Sequence, residues 1–154
     1  MIKQVAFLRG INVGGHNPVP METLKKTFES LRFENVKTLL ASGNVLFDAP
    51  QTSASVMTKK IEEKLEKMFG HEIGVLIRTI KDLQLLEKAD PFKGIIVTPQ
   101  TRLYVTFLSE KSKTGLKIPY ESSDKNFKII RVTANEVCSV LTVSPNSQTT
   151  DLMG

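Results

Sequence analysis

Phe7-Leu8-Arg9-Gly10-Ile11-Asn12-Val13-Gly14-Gly15-His16-Asn17 is the stretch that decides the fold. An apolar strand, Ile2 to Leu8, runs into it, and an amphipathic helix starting near Pro20 leaves it. Between them sit Gly10, Gly14 and Gly15 with Arg9, Asn12, His16 and Asn17. Glycines in a loop mark positive φ or close backbone approach. Polar side chains on a loop at a strand end are where binding sites tend to be built.

Working outward, Val5-Ala6-Phe7-Leu8 is apolar at every position, which predicts a strand covered on both faces. On the far side, Met21, Leu24, Phe28 and Leu31 recur at helical spacing, with Glu22, Lys25, Lys26 and Glu29 opposite them. Val36 to Ser42 reads as a second strand. Ser42-Gly43-Asn44 reads as a tight reversal into a third, Val45-Leu46-Phe47. A serine at 53 or 55 caps a second helix with Met57, Ile61, Leu65 and Met68 as its buried stripe, and Gly70 stops it. Ile73 to Ile77 is a fourth strand. The order β-α-β-β-α-β is that of a ferredoxin-like split βαβ unit.

Thr79 with Asp82 forms a capping box for a third helix, whose Leu83, Leu86 and Ala89 are expected to face inward. The pattern then repeats in part. Leu103 to Leu108 echoes Gln4 to Leu8, and Lys128 to Asn135 echoes Lys37 to Asn44. Val137 to Val143 completes a second hairpin, and Ser147 stands where a final helix would be capped. The segment Lys111 to Ser123, with Gly115 and Pro119, is a poor crossover helix. The expected organisation is α+β: a ferredoxin-like unit over 1–79, a connector over 80–100, and a second, truncated unit over 101–154 with antiparallel pairing.

Composition narrows the partners. Apolar residues make up 40% and charged ones 24%, ordinary for a globular domain. A net charge of +5, spread along the helices, permits a polyanionic partner without requiring one. Cys138 is the single cysteine, so no intrachain disulfide forms, and a reducing cytoplasm is the expected compartment. No apolar run reaches the ~20 residues of a membrane helix, and the N-terminus does not read as a signal peptide. No His, Cys, Asp and Glu spacing suggests a metal, and the sequence matches neither the dinucleotide fingerprint nor the nucleotide P-loop, which leaves any cofactor unknown.

Arg9-Gly10-Ile11-Asn12-Val13-Gly14-Gly15, Val19-Pro20-Met21, Leu24 and Ser42-Gly43-Asn44-Val45 together resemble the bacterial family called domain of unknown function 1697. The match covers the first 50 residues well. The resemblance implies a duplicated ferredoxin-like fold and no assigned reaction. Family members usually continue for a further helix and strand with a basic, tryptophan-containing segment, and this chain departs from them there.

In a split βαβ unit the end of the first strand and the hairpin between the second and third lie at one end of the sheet. Arg9, Gly10, Asn12, Gly14, Gly15 and His16 should therefore converge with Ser42, Gly43 and Asn44. The chemistry of that set is anion binding. Arg9 offers a fork matched to phosphate or carboxylate, and the glycine amides offer a nest. Pro18 and Pro20 lack N–H groups, which weakens the following helix start as an anion site. The alternative is a loop held by its own hydrogen bonds. An RNA-binding sheet, with Phe7 and Phe47 stacking on bases, is a less favoured reading, as is an assembly module using an exposed strand edge. His71 reads as a surface residue, and Cys138 as a buried, inert thiol.

Overall fold

A computed structural model describes residues 1–12, 18–39, 43–108 and 118–143. The protein is α+β. Its described residues form two antiparallel four-stranded sheets and three helices, within two compact units, Met1–Leu85 and Leu86–Gly154.

The first unit holds β1 (Ile2–Leu8), α1 (Met21–Glu29), β2 (Glu34–Leu39), β3 (Asn44–Ala49), α2 (Ala54–Phe69) and β4 (Val75–Thr79). The helix α3 (Ile80–Ala89) follows and runs across the boundary between the units. Strand order is β2-β3-β1-β4. β1 and β2 both run antiparallel to β3, so they are parallel to each other.

Local chemistry sets the helix ends. Ser53 Oγ accepts the Val56 N–H at the start of α2 (3.3 Å). Gly70 closes it at φ +78, its N–H donating to the Glu66 carbonyl (2.9 Å). Thr79 and Asp82 form a reciprocal box: the Asp82 N–H donates to Thr79 Oγ1 and the Thr79 N–H to Asp82 Oδ2, each at 3.0 Å. α1 starts at Pro20 with no side-chain cap.

Strand parity separates the two faces of this sheet. Ala6 and Leu8, Val45, Phe47 and Ala49, and Val75 and Ile77 belong to one core with residues of α1 and α2. Its centre is aromatic. Phe47 lies 5.4 Å from Phe28 and 4.8 Å from Phe33, centroid to centroid, both within the favourable range for ring pairs. Thr27 is buried among them because its hydroxyl donates to the Thr23 carbonyl (2.7 Å). The opposite face carries Val5, Phe7, Leu46 and Leu76, with Val5 buried and the others half-buried. On that face Lys3 Nζ sits 3.3 Å from Asp48 Oδ1, and Asn35 Nδ2 donates to Asp48 Oδ2 (2.7 Å).

Three side chains depart from the sequence-based expectation. Met68 is 47% exposed, and Phe69 packs against the core instead. Ala89 is exposed and α3 buries none of its residues. His71 is half-buried rather than a surface residue: its Nδ1–H donates to the Phe69 carbonyl (3.1 Å) and its Nε2 is enclosed.

The second unit contains β5 (Thr101–Phe107), β6 (Tyr120–Glu121), β7 (Phe127–Val132) and β8 (Glu136–Thr142), in the order β5-β8-β7-β6. Thr133 makes the β7–β8 reversal: its N–H donates to the Glu136 carbonyl (2.9 Å), and its hydroxyl accepts the N–H groups of Asn135 and Glu136. Asp124 holds the β6–β7 turn, accepting from Ser122 Oγ (2.6 Å) and the Asn126 N–H (3.0 Å). Those bonds hold its carboxyl below the ordinary value. β6 was not anticipated, since two residues are too few to show a period. The expected helix after Ser147 lies outside the described residues.

Candidate functional site

The last residues of β1 are fastened to both sides. The Leu8 N–H donates to the Gly43 carbonyl and the Arg9 N–H to the Gly74 carbonyl, each at 2.9 Å. The β1 end, the β2–β3 reversal and the residues before β4 therefore meet at one place. Phe7 pairs with Asn44 in the same register.

Ile11, from the glycine-rich loop, turns inward and is 1% exposed. It packs on Gly43, where a Cβ would lie 2.6 Å from Ile11 Cδ1 and 3.0 Å from Leu8 Cβ. Gly43 also sits at φ +96. Any side chain there meets both a strained backbone and an occupied space. Asn12, at φ +55, closes the loop on itself: its Oδ1 accepts the Val19 N–H (2.7 Å) and its Nδ2 donates to the Val19 carbonyl (3.0 Å). A side-chain amide so placed mimics a strand partner. Asn12 therefore ties the two described ends of the loop together, one of the two roles its residue type allows.

Arg9 has a different environment. It is exposed, and its aliphatic stem passes over Gly74, where a Cβ would lie 3.4 Å from Arg9 Cδ. Among the described residues its guanidinium makes no hydrogen bond or ion pair. Gly10 is exposed beside it at φ +66. Of the nine residues expected at the site, Arg9, Gly10, Asn12, Gly43 and Asn44 are described, and Gly14, Gly15, His16 and Ser42 lie outside the described residues.

Gly74 and Glu62 were missed from the sequence. Glu62 Oε1 accepts the Val75 N–H (3.2 Å), tying α2 to the segment beside Arg9. The available signal was Gly74 itself, a glycine just before a strand, which marks close approach by another group. Gly74 also rims a groove of about 320 Å3 that carries Glu62, Glu63, Glu66 and Glu72 with Lys59. That groove is anionic, so an anion near Arg9 belongs on its loop side. A second groove, about 730 Å3, runs along α2 with both charge signs and includes none of the expected site residues. Among the described residues, no group of three or more His, Cys, Asp or Glu is placed to hold a metal, and no helix is long and apolar enough to cross a membrane.

The α1 N-terminus adds little to anion binding. It begins at a proline, and Glu22 places a carboxylate in its first turn.

Residues 1–138 match the protein family described as "protein of unknown function (DUF1697)". The chain belongs to this family. Among solved structures it is similar to a conserved bacterial protein from Streptococcus pneumoniae, at 18% identity and a TM-score of 0.66, covering 90% of this chain and 76% of that one. At that identity the likeness speaks for the fold alone. None of the curated proteins matches the chain. Family membership thus assigns no reaction, and the site carries the functional argument.

Proposed function

We propose that the chain binds a small anion at the β1 end, with Arg9 as the charged contact. The observation that carries this reading is the Arg9 guanidinium, exposed and without a partner among the described residues, on a stem steadied by Gly74. Asn12 is bonded to Val19 and Ile11 is buried, which fixes the described residues that follow Arg9. Gly10, Gly14, Gly15, His16, Ser42, Gly43 and Asn44 complete the proposed site, supplying amides and polar side chains. No reaction and no cofactor is proposed. The lone Cys138 suits a cytoplasmic compartment.

The two units fit a duplicated ferredoxin-like arrangement, with 1–79 and 101–154 as the repeats and 80–100 between them. The support is positional. Phe7 pairs with Asn44 and the Leu8 N–H meets the Gly43 carbonyl, while Phe107 pairs with Glu136 and the Leu108 N–H meets the Asn135 carbonyl (2.8 Å). The order β2-β3-β1 recurs as β7-β8-β5.

RNA stacking loses one of its two aromatics. Phe47 is 0% exposed within the aromatic cluster, on the face opposite to Phe7.

Calorimetric titration with inorganic phosphate, nucleotides and di- and tricarboxylates tests the proposal. One of these anions is expected to bind, and Arg9→Ala to weaken it roughly 10- to 100-fold, the range for a charge-assisted hydrogen bond, with an unchanged circular dichroism spectrum. Equal affinity in the two proteins, or no binding by any anion, would overturn the reading. Binding only to single-stranded RNA, with a steep salt dependence, would replace it with nucleic-acid recognition.

A further inference from the structure

Selectivity between ligands comes from repulsion as well as attraction. Arg9 supplies the attraction at the β1 end. Gly74 joins it to a source of repulsion. The Gly74 carbonyl accepts the Arg9 N–H (2.9 Å), and the Arg9 stem lies along this glycine, its Cδ 3.4 Å from where a Cβ would stand. Gly74 also rims the groove of about 320 Å3 beside α2.

Four carboxylates wall that groove. Glu62 and Glu66 lie one turn apart on α2 with Glu63 next to them, and Glu72 comes two residues before Gly74. Lys59 is the one cation in the lining, so the wall is strongly anionic.

The wall stands beside Arg9 without neutralising it. Glu62 Oε1 accepts the Val75 N–H (3.2 Å), and Val75 pairs with Leu8. This carboxylate is therefore fixed at residues that adjoin both Gly74 and Arg9. Among the described residues none of the four carboxylates forms an ion pair, with Arg9 or with any other cation. The guanidinium keeps its charge for a ligand, and the carboxylates keep theirs.

Distance then sorts the ligands. The first anionic group sits on the guanidinium, where a charge-assisted hydrogen bond outweighs repulsion from carboxylates farther off. A further anionic group stands away from the guanidinium and within reach of the wall, since charges are felt over ~10 Å at 0.1 M salt.

We propose, on the Arg9 reading above, that the wall of Glu62, Glu63, Glu66 and Glu72 sets the ligand class: an anion with a single charged group, its remainder neutral or cationic. Ligands that carry several anionic groups in a row are turned away. An arginine without such a wall gives the opposite order, because each added negative charge tightens binding. The order of affinities along a charge series is therefore diagnostic.

Calorimetric titration of the whole chain at low salt with two series tests this: inorganic phosphate, pyrophosphate and tripolyphosphate, and butyrate, succinate and tricarballylate. Affinity is expected to fall with each added group in the series that binds. Glu66 and Glu72 are exposed, so the double variant Glu66→Gln, Glu72→Gln should keep the circular dichroism spectrum. It should raise affinity for the three-group member roughly 3- to 10-fold more than for the one-group member, the scale of two surface charges about a Debye length away. An affinity that rises with each added group in wild type would overturn the proposal. So would a double variant whose ratio of affinities equals that of wild type. In both cases anion binding that is still lost in Arg9→Ala leaves the Arg9 site standing. No binding by any member, or equal binding in Arg9→Ala, removes the site and its selectivity together.

Discussion

Under the proposed duplication, Phe47 and Ser139 occupy matching positions in the two units. Counting back three residues from Phe7 and Phe107 reaches Gln4 and Tyr104, and their partners are Phe47 and Ser139. Both are 0% exposed. Phe47 fills the space between sheet and helices, in contact with Phe28 and Phe33. Ser139 holds a buried hydroxyl with no hydrogen-bond partner among the described residues. If the two units are repeats, as proposed, one strand framework carries an aromatic, helix-covered core in the first and a small polar residue in the second. The difference teaches that strand pairing and core composition are separable. On the proposed duplication the ladder repeats, while the packing that stabilises it does not.

Five substitutions and one pH experiment bear on that comparison, and denaturant unfolding measures each. Phe47→Ala should have the largest effect, about 3–5 kcal/mol of lost stability, because it opens a cavity at the centre of the aromatic cluster. A loss below ~1 kcal/mol would mean that the first unit does not depend on this packing. Gly43→Ala comes next, at about 2–4 kcal/mol, since it combines positive-φ strain with overpacking against Ile11. Asn135→Ala, at the matching reversal, should cost less, because Asn135 is exposed and is not among the residues at positive φ. Equal losses would end the distinction between the two turns.

Asn12→Ala should cost about 1–3 kcal/mol, leaving both backbone groups of the buried Val19 without their partner. Ser139→Ala lies at the other extreme: within ~0.5 kcal/mol of the wild type, or stabilising, since a buried hydroxyl without a partner is removed. A clear loss there would reveal that the hydroxyl has work in the native state.

The pH experiment separates the units electrostatically. Asp48 is held below the ordinary carboxyl value, chiefly by its hydrogen bond from Asn35 and then by Lys3. A carboxyl lowered on folding contributes stability above its unfolded value of about 4, and loses it as pH falls through the folded value. Asp48→Asn should therefore lower stability at neutral pH and flatten the acid limb of the profile, so that the two proteins converge as pH falls. By the same counting Asp48 corresponds to Val140, since Lys3 pairs with Asp48 and Leu103 with Val140. The second unit has no equivalent group at that position.

Much of the first unit was legible because its signals are local. Ser53, Gly70 and the Thr79–Asp82 box mark helix ends through contacts within one turn. The meeting of the β1 end with the Gly43 reversal followed from element order alone. Other features depend on tertiary placement. Alternate positions of β1 and β3 are both apolar, so parity gave no sign that Phe47 faces the helices and Phe7 the other side. Asn12 reads as a free donor until the loop's path brings Val19 against it. Met68 fits the helical stripe of α2 by spacing, yet the helix ends where Phe69 takes over the packing. Cys138 was legible as a buried strand thiol, and burial raises its thiol above the ordinary value. It should resist alkylation in the folded protein.

The most direct test of the anion site is an amide NMR titration of the labelled chain with the anion that binds best in the calorimetric panel, read at Gly10 and Gly43 in wild type and in Arg9→Ala. A shared site predicts that both amides shift together along one saturation curve, and that both responses vanish in Arg9→Ala while the remaining spectrum keeps its dispersion. Gly10 and Gly43 standing still while the anion binds, or shifting equally in Arg9→Ala, would contradict it.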